Sequence, residues 1–183
     1  MRKALYLDAD DTIWEVYPVG LASLCKPPYE KISDDAIKGK VEEELIFVGE
    51  TDCIISLKEG ARDLINWAKE IDMDVVLVSS NDPKPVLEAI KALDLDFDRT
   101  YIGWFKKSKI DVIKRDMDKY DIDESIFIDD NAVLEVLDYC KKNPKECVVD
   151  PVTNLPKPKD ITIFDNIYDY IWEIYLEKVG LED

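Results

Sequence analysis

Acidic, hydroxyl, amide and amine side chains follow several short apolar runs of this 183-residue chain. Carboxylates act as nucleophiles, general acids or bases and bind hard metal ions. Hydroxyl, amide and ammonium groups stabilise the oxygens of a phosphoryl group. Together these residue types suit a phosphate ester and Mg²⁺. The candidate residues are Asp8, Asp10, Thr12, Ser80, Asn81, Lys109, Asp129 and Asp130.

The order of these residues along the chain is more informative than any single spacing. The Asp-x-Asp spacing is weak evidence by itself, because it recurs in this Asp-rich chain, for example at Asp72 and Asp74. The full pattern has four parts: an apolar run before D-x-D-x-T, a second before S-N, a Ser-Lys helix start, and a third run before D-D. This conjunction argues for one functional site.

The elements that must position these residues alternate between strands and helices. The predicted strands are Ala4–Leu7, Asp74–Ser79, Thr100–Gly103, Ser125–Ile128 and Cys147–Val149. The predicted helices are Glu59–Ile71, Pro85–Leu93, Lys109–Tyr120 and Asn131–Lys141, with Ser108 as an N-cap. This alternation predicts an α/β fold, a doubly wound parallel sheet with helices on both faces. Ligands of such sheets bind outside the carboxyl ends of the strands, where the candidate residues lie.

Composition and charge exclude several classes of function. The chain has no histidine, which excludes Ser/His/Asp triads and histidine-containing zinc sites. Its formal net charge of −17 repels polyanions, so we expect neither nucleic acid nor a membrane surface as a partner. Within this acidic chain, residues 106 to 115 carry five basic residues and one acid. That local excess supports a role for Lys109 near phosphate.

The cysteines and the first residues indicate the compartment. Cys25, Cys53, Cys140 and Cys147 form no C-x-x-C pair, and we expect reduced thiols. Met1-Arg2-Lys3 leads into a strand-like run rather than into a signal peptide. The apolar runs are also too short to span a bilayer. We therefore expect a soluble, cytoplasmic protein.

One segment interrupts the alternation of strands and helices. Residues 14 to 57 carry several prolines and glycines, followed by Leu45–Val48 and Cys53–Ser56, which are typical of a β-hairpin. We predict a short flap here, either a lid over the site or a structural cover of a sheet edge, and no large cap domain. The length predicts a single domain over residues 1 to 183, ending in a connector at Val152–Lys159 and a helix at about 161 to 179.

The four-part pattern resembles the motifs of the haloacid dehalogenase superfamily of aspartate-nucleophile phosphotransferases. Three further segments, Thr12-Ile13-Trp14, Pro27-Pro28-Tyr29 and Ser108-Lys109-Ile110, are similar to its magnesium-dependent phosphatase branch. The resemblance implies a Rossmann-like core, a short flap and Mg²⁺-dependent hydrolysis of phosphomonoesters. A small phosphorylated metabolite or a phosphorylated protein side chain is the expected substrate.

Residue types together with this resemblance assign a role to each candidate. Asp8 is the expected nucleophile, Asp10 the general acid and base, and Lys109 the cation that screens Asp8 from the incoming phosphate. Ser80 and the Asn81 backbone amide would bind phosphoryl oxygens. Thr12 would support the nucleophile loop, and Trp14 would either stack on substrate or anchor the packing. The expected metal ligands are Asp8, the Asp10 backbone carbonyl and Asp130, with Asp129 sharing the metal or holding a bound water.

Several alternatives compete with the phosphatase prediction. A dehalogenase would need neither the second aspartate nor a metal, and a phosphomutase would need a larger cap. A phospho-accepting signalling domain has similar residue types, but its acceptor is expected alone on a middle strand. A fold retained only for binding is the remaining alternative. The aromatic-rich stretch Phe164–Tyr175 would either pack on the sheet or form a homodimer surface.

Overall fold

The computed structural model describes residues 1–17, 37–42, 45–48, 53–103 and 105–180. Its main sheet has five parallel strands in the spatial order β11, β8, β1, β6, β7, numbered here along the chain. These strands are β1 (Lys3–Leu7), β6 (Asp74–Ser79), β7 (Arg99–Ile102), β8 (Glu124–Ile128) and β11 (Ile161–Phe164). The parallel α/β sheet predicted from the alternating elements is therefore confirmed.

Helices cover both faces of the main sheet. They are α1 (Ala61–Glu70), α2 (Pro83–Ala92), α3 (Lys109–Tyr120), α4 (Ala132–Lys142) and α5 (Ile167–Val179). Successive residues of a strand point to opposite faces, so Leu5 and Leu7 pack in the core with α1, α2 and α5. The alternate residues, Ala4 and Tyr6, pack with α3 and α4 on the other face. The strands therefore lie between two apolar cores, and their carboxyl ends form a fixed edge.

Local sequence signals explain where the helices beside this edge begin. The Ser108 hydroxyl accepts from the backbone N–H of Asp111, and the Asp111 carboxylate accepts from the backbone N–H of Ser108. This capping box fixes the first turn of α3, confirms the predicted N-cap and places Lys109 at the first helical position. Asp82 caps α2 by accepting from the Lys84 backbone N–H, with Pro83 as the first helical residue.

The segment after β1 forms a second, antiparallel sheet. Its strands are β2 (Trp14–Tyr17), β3 (Ile37–Glu42), β4 (Leu45–Val48) and β5 (Cys53–Leu57), in the spatial order β2, β5, β4, β3. The antiparallel pairing of β4 with β5 confirms the predicted hairpin. The Pro27-Pro28-Tyr29 turn and Cys25 lie outside the described residues. Whether the flap is a lid over the site stays a prediction.

The chain after α4 differs from the prediction in two elements. Cys147–Val149 forms β9, which pairs antiparallel with β10 (Pro156–Pro158) rather than joining the main sheet. The fifth main-sheet strand is instead β11, from which Ile161 pairs with Ser125. The predicted helix therefore begins only at Ile167, capped by Asn166. The apolar residues just before Ile167 fit the spacing of a strand as well as that of a helix. The sequence pattern alone therefore did not distinguish a strand from a helix here.

Helix α5 confirms only part of the expected packing. Tyr170 is buried and lies beside Phe164, with the ring centroids 5.1 Å apart. Trp172 is 59% exposed and stacks on Tyr175 instead of packing on the sheet. Of the two roles predicted for the aromatic stretch, packing on the sheet is therefore confirmed for Tyr170 and is wrong for Trp172, which lies outside the core that holds Ile167 and Tyr170.

The structure also corrects the prediction that all four cysteines are reduced. Cys140 on α4 and Cys147 on β9 form a disulfide, with their Cα atoms 5.8 Å apart. The two residues are seven positions apart, and the 3₁₀ helix Pro144–Glu146 turns the chain back between them. This turn brings together two cysteines whose sequence spacing matches no common motif. The bond ties the end of α4 to β9.

Candidate metal and phosphate site

Two neighbouring strands of the main sheet bring three carboxylates together. Asp8 follows β1 and donates its backbone N–H to the Ile128 carbonyl oxygen of β8, at 3.0 Å. Asp129 and Asp130 follow β8 directly. One carboxylate oxygen from each of these residues lies within 4.8 Å of the others, a grouping that could hold a metal ion. We call Asp8, Asp129 and Asp130 the acidic triad.

Lys109 reaches the acidic triad from the first turn of α3. Its Nζ lies 3.1 Å from Oδ1 of Asp8 and 2.6 Å from Oδ2 of Asp129. Asp8, Asp129 and Lys109 are all buried, whereas Asp130 is exposed. Opposite charges attract each other more strongly in the low-dielectric interior than in water, and this ion pair also has hydrogen bonds. Lys109 therefore fixes both carboxylates in place. Lys109 thus lies close to Asp8 in the structure, as the sequence predicts.

The triad carries more negative charge than Lys109 balances. Burial raises the pKa of Asp8 to about 7, with a further contribution from the neighbouring Asp129 charge and an opposing one from Lys109. Burial and Asp129 likewise raise the pKa of Asp130. Burial alone would lower the pKa of Lys109, but the attraction of Asp8 and Asp129 outweighs it and raises that pKa. A divalent cation bound to these carboxylates would supply the missing positive charge.

Two other residues hydrogen-bond to the carboxylate of Asp10. Its Oδ1 accepts from the indole Nε1–H of Trp14 at 2.7 Å, and its Oδ2 accepts from the Asn81 Nδ2–H at 2.7 Å. Asp10 is half-buried, and its carboxylate is not among the triad oxygens. Trp14 and Asn81 therefore fix the orientation of a carboxylate two residues from Asp8.

These contacts give Trp14 and Asn81 a role toward Asp10 that the sequence did not indicate. Trp14 is fully buried, so its ring has the packing position that was one of its two predicted roles, and its indole also contacts Asp10. The side chain of Asn81 orients Asp10, whereas sequence reasoning considered only its backbone amide. No local pattern pairs residues 10 and 81, because their contact depends on the parallel pairing of β1 with β6.

Thr12 connects the two loops that carry the triad, and Asn131 holds Asp129 within the loop after β8. The fully buried Thr12 accepts from the Asp130 backbone N–H through its Oγ1, at 3.2 Å. The Asn131 backbone N–H donates to Oδ1 of Asp129, at 2.8 Å. Thr12 thus joins the loop after β1 to the loop after β8, and its predicted support of the nucleophile during the reaction stays a prediction. Ser80 is exposed at the same edge of the sheet, beside a cavity.

Glu135 is a residue of this region that sequence reasoning missed. It lies in the first turn of α4, and its carboxylate accepts from the backbone N–H of Lys109. Burial raises the pKa of Glu135, while Lys109 opposes that effect. The available signal was its position in the first turn of the helix that begins just after Asp130. This signal is weak, because an acidic residue in a first helical turn is common.

The chain matches no protein-family model, and no curated protein matches it at a significant level. The geometry of the site therefore carries the functional argument. None of the described helices combines the length and apolar character needed to cross a membrane.

Proposed function

We propose that this protein is a Mg²⁺-dependent phosphomonoester hydrolase of the haloacid dehalogenase type, with Asp8 as nucleophile. One observation carries the proposal: the acidic triad and Lys109 meet at the ends of β1 and β8, while Asp10 is oriented separately beside them. Phosphoryl transfer through an aspartyl-phosphate requires a nucleophilic carboxylate, a separate acid/base group and a cation close to the phosphate.

The residues present fit a bound divalent cation. Three carboxylates lie within reach of a single ion, and among the described residues Lys109 alone forms ion pairs with them. Oxygen ligands of this kind are those that Mg²⁺ prefers. When bound, Mg²⁺ would neutralise charge on the phosphoryl oxygens and so lessen the repulsion between Asp8 and a phosphate dianion. Asp8 and Asp130 would hold it, with Asp129 either a ligand or the acceptor of a bound water's hydrogen bond.

In the first half-reaction, a carboxylate oxygen of Asp8 attacks the phosphorus atom. A bond forms between Asp8 and phosphorus, and the bond from phosphorus to the ester oxygen breaks. Asp10 in its protonated form gives its proton to the departing alkoxide, which leaves as an alcohol. Lys109 keeps Asp8 in position and offsets its negative charge as the phosphate approaches.

In the second half-reaction, Asp10 acts as a base. It takes a proton from water, whose oxygen attacks the phosphorus of the aspartyl-phosphate. The bond between Asp8 and phosphorus breaks, inorganic phosphate leaves, and both aspartates return to their starting states. The exposed Ser80 hydroxyl would bind a phosphoryl oxygen during both displacements. The backbone N–H of Asn81 donates to Oγ of Ser79 at 3.3 Å and would exchange that partner for a phosphoryl oxygen.

Hydrolysis of para-nitrophenyl phosphate, with and without Mg²⁺, tests this proposal. We expect Mg²⁺-dependent release of phosphate by the wild type and loss of turnover in Asp8→Asn, because an amide oxygen is a poor nucleophile at phosphorus. Asp72→Asn is the matched control. Asp72 also belongs to an Asp-x-Asp pair, but it is exposed just before β6, and its φ of 58° suits asparagine.

The outcome distinguishes the competing functions. Mg²⁺-dependent turnover that survives in Asp8→Asn would overturn the nucleophile assignment. A wild type that accumulates a stable phosphoprotein without releasing phosphate would instead favour the phospho-accepting signalling alternative. Circular dichroism of each variant verifies that it is folded.

A further inference from the structure

A large cavity adjoins the proposed phosphate site on the side of α3 and α4. Its volume is about 940 Å³, and both Ser80 and Lys109 line it. These two residues belong to the proposed phosphate-binding set, so a group attached to a bound phosphate has space to extend into the cavity. This volume falls in the range of pockets for small organic molecules.

The acidic residues around this cavity have partners among the described residues, whereas two of its lysines form no ion pair with them. Asp111 is engaged in the capping box with Ser108, Glu135 accepts from the Lys109 backbone, and Asp138 pairs with Lys142 at 2.6 Å. Lys106 and Lys107 are exposed on the same wall, and neither forms an ion pair with the described residues. The cavity therefore offers two ammonium groups whose charge no described carboxylate offsets.

This positive wall contrasts with the rest of the molecule. The chain carries a net charge of −17, with 41 acidic residues against 24 basic ones. Several other lysines are paired, including Lys69 with Asp96 and Lys114 with Glu146. The net negative charge of the protein repels an anionic ligand. Lys106 and Lys107, which form no ion pair with the described residues, lower that repulsion beside the site.

We propose that the cavity binds the leaving group of the substrate and that this leaving group carries a second anionic group, recognised by Lys106 and Lys107. The substrate class is thus a phosphomonoester whose alcohol portion carries a second anionic group, for which a carboxylate serves as the probe below. This inference rests on the proposed phosphatase function and adds its specificity determinants. Lys106 and Lys107 contact neither the acidic triad nor Asp10 and would act on binding alone.

Calorimetry with two non-hydrolysable phosphonates tests the inference without requiring turnover. Benzylphosphonate and para-carboxybenzylphosphonate differ by one carboxylate, and each is titrated into the Mg²⁺-loaded full chain. Exposed ion pairs add only modestly to affinity, so we expect the wild type to bind the carboxylated probe about three- to tenfold more tightly. We expect Lys106→Gln/Lys107→Gln to lose this preference.

A control variant separates the local effect from net charge. Lys91→Gln/Lys119→Gln makes the same charge change in the last turns of α2 and α3, away from the cavity. We expect it to keep the preference. The inference is overturned if the wild type shows no preference, if the cavity variant retains it, or if the control variant loses it equally. If the wild type hydrolyses para-nitrophenyl phosphate but shows no preference for the carboxylated phosphonate, the inference is overturned and the proposed function is not. Absence of both hydrolysis and phosphonate binding would overturn the proposed function as well.

Discussion

At the scale of single residues, the most informative side chain is Asp10. A carboxylate two residues from a nucleophile could coordinate a metal or transfer protons, and the sequence does not separate these roles. Hydrogen bonds from Trp14 and Asn81 engage both of its oxygens, and its carboxylate is not grouped with those of the triad. This arrangement leaves Asp8, Asp129 and Asp130 as the carboxylates grouped for a metal, and it supports proton transfer as the role of Asp10.

The first prediction concerns this proton transfer. Asp10→Asn should slow hydrolysis of the aspartyl-phosphate more than its formation from para-nitrophenyl phosphate, because para-nitrophenolate leaves without needing a proton. Rapid-quench kinetics measures both steps. Equal loss in both half-reactions would remove the acid/base role.

The second prediction concerns the positioning of Asp10 by Trp14. Trp14→Phe removes one donor to a carboxylate, and hydrogen bonds to charged groups are worth about 1.5 to 3 kcal/mol. We expect about a tenfold loss in kcat, with the slower step again being hydrolysis of the aspartyl-phosphate. Trp172→Phe, at an exposed position, is the control. A purely structural Trp14 would lower stability without producing this kinetic asymmetry.

At the scale of elements, a buried carboxylate joins α3 to two strands of the sheet. Asp116 accepts from the Tyr6 hydroxyl of β1 at 2.8 Å and from Nε and Nη2 of Arg99 on β7, each at 2.8 Å. The Tyr101 hydroxyl also donates to it. Burial alone would raise the pKa of Asp116, but the bonds from Arg99, Tyr101 and Tyr6 lower it below its ordinary value. The network thus fixes α3, whose first residue is Lys109.

The third prediction follows from this network. Asp116→Asn should lower the free energy of unfolding by about 1.5 to 3 kcal/mol at neutral pH, because Arg99 loses its charge-assisted bonds to Asp116 while it keeps Asp74 as a partner. Since the pKa of Asp116 is lower in the folded state, its contribution is fully present above the ordinary value of 3.8 and is lost as pH falls below that value through the folded pKa.

Urea denaturation at neutral pH and at decreasing pH measures this difference. The gap between wild type and Asp116→Asn should narrow as Asp116 becomes protonated. Asp118→Asn, exposed on the same helix, should stay close to wild type throughout. A gap that does not depend on pH would show that the charge of Asp116 is not the source of its stabilisation.

The fourth prediction concerns the tie between α4 and β9. In the chain-entropy account, closing a loop of this length stabilises the folded state by about 2.5 kcal/mol. A thiol reductant should therefore lower the Tm of the wild type but leave that of Cys140→Ser/Cys147→Ser unchanged. Thermal unfolding with and without reductant measures the effect. Equal response of both proteins would contradict a stabilising disulfide.

At the scale of the whole molecule, net charge and metal binding act on stability together. A chain of −17 is destabilised by self-repulsion, which any salt screens. Specific binding adds a separate effect, because a ligand that binds only the folded state stabilises it by mass action. The acidic triad concentrates part of this negative charge at one buried edge, where a divalent ion acts far more strongly than a diffuse salt atmosphere.

The fifth prediction separates these two effects. Mg²⁺ at about one hundred times its Kd should stabilise the wild type by about 2.7 kcal/mol beyond NaCl of equal ionic strength. In Asp130→Asn the additional stabilisation should be much smaller, while the response to NaCl stays the same. Differential scanning calorimetry measures both. Equal effects of Mg²⁺ and matched NaCl on the wild type would show that the triad binds no metal.

Sequence periodicity predicted the elements around the site because these signals are local. Alternating strands and helices, the capping box at Ser108 and the D-D pair after Ser125–Ile128 are all readable within a few residues. The same local signals failed beyond α4. There, β11 is short, and its strand form depends on pairing with β8 rather than on its own pattern.

The sequence by itself determined the residue types at the strand ends, the α/β alternation and the excess of negative charge. Only the tertiary structure decided which of those residues meet. Parallel pairing of β1 with β6 and β8 brings Asn81 to Asp10 and Asp129 to Asp8, across separations that no local pattern encodes. Packing of α3 then adds Lys109, and the turn after α4 closes the disulfide. The physical reason is that side-chain chemistry belongs to each residue, whereas distance depends on how the whole chain buries its apolar surface.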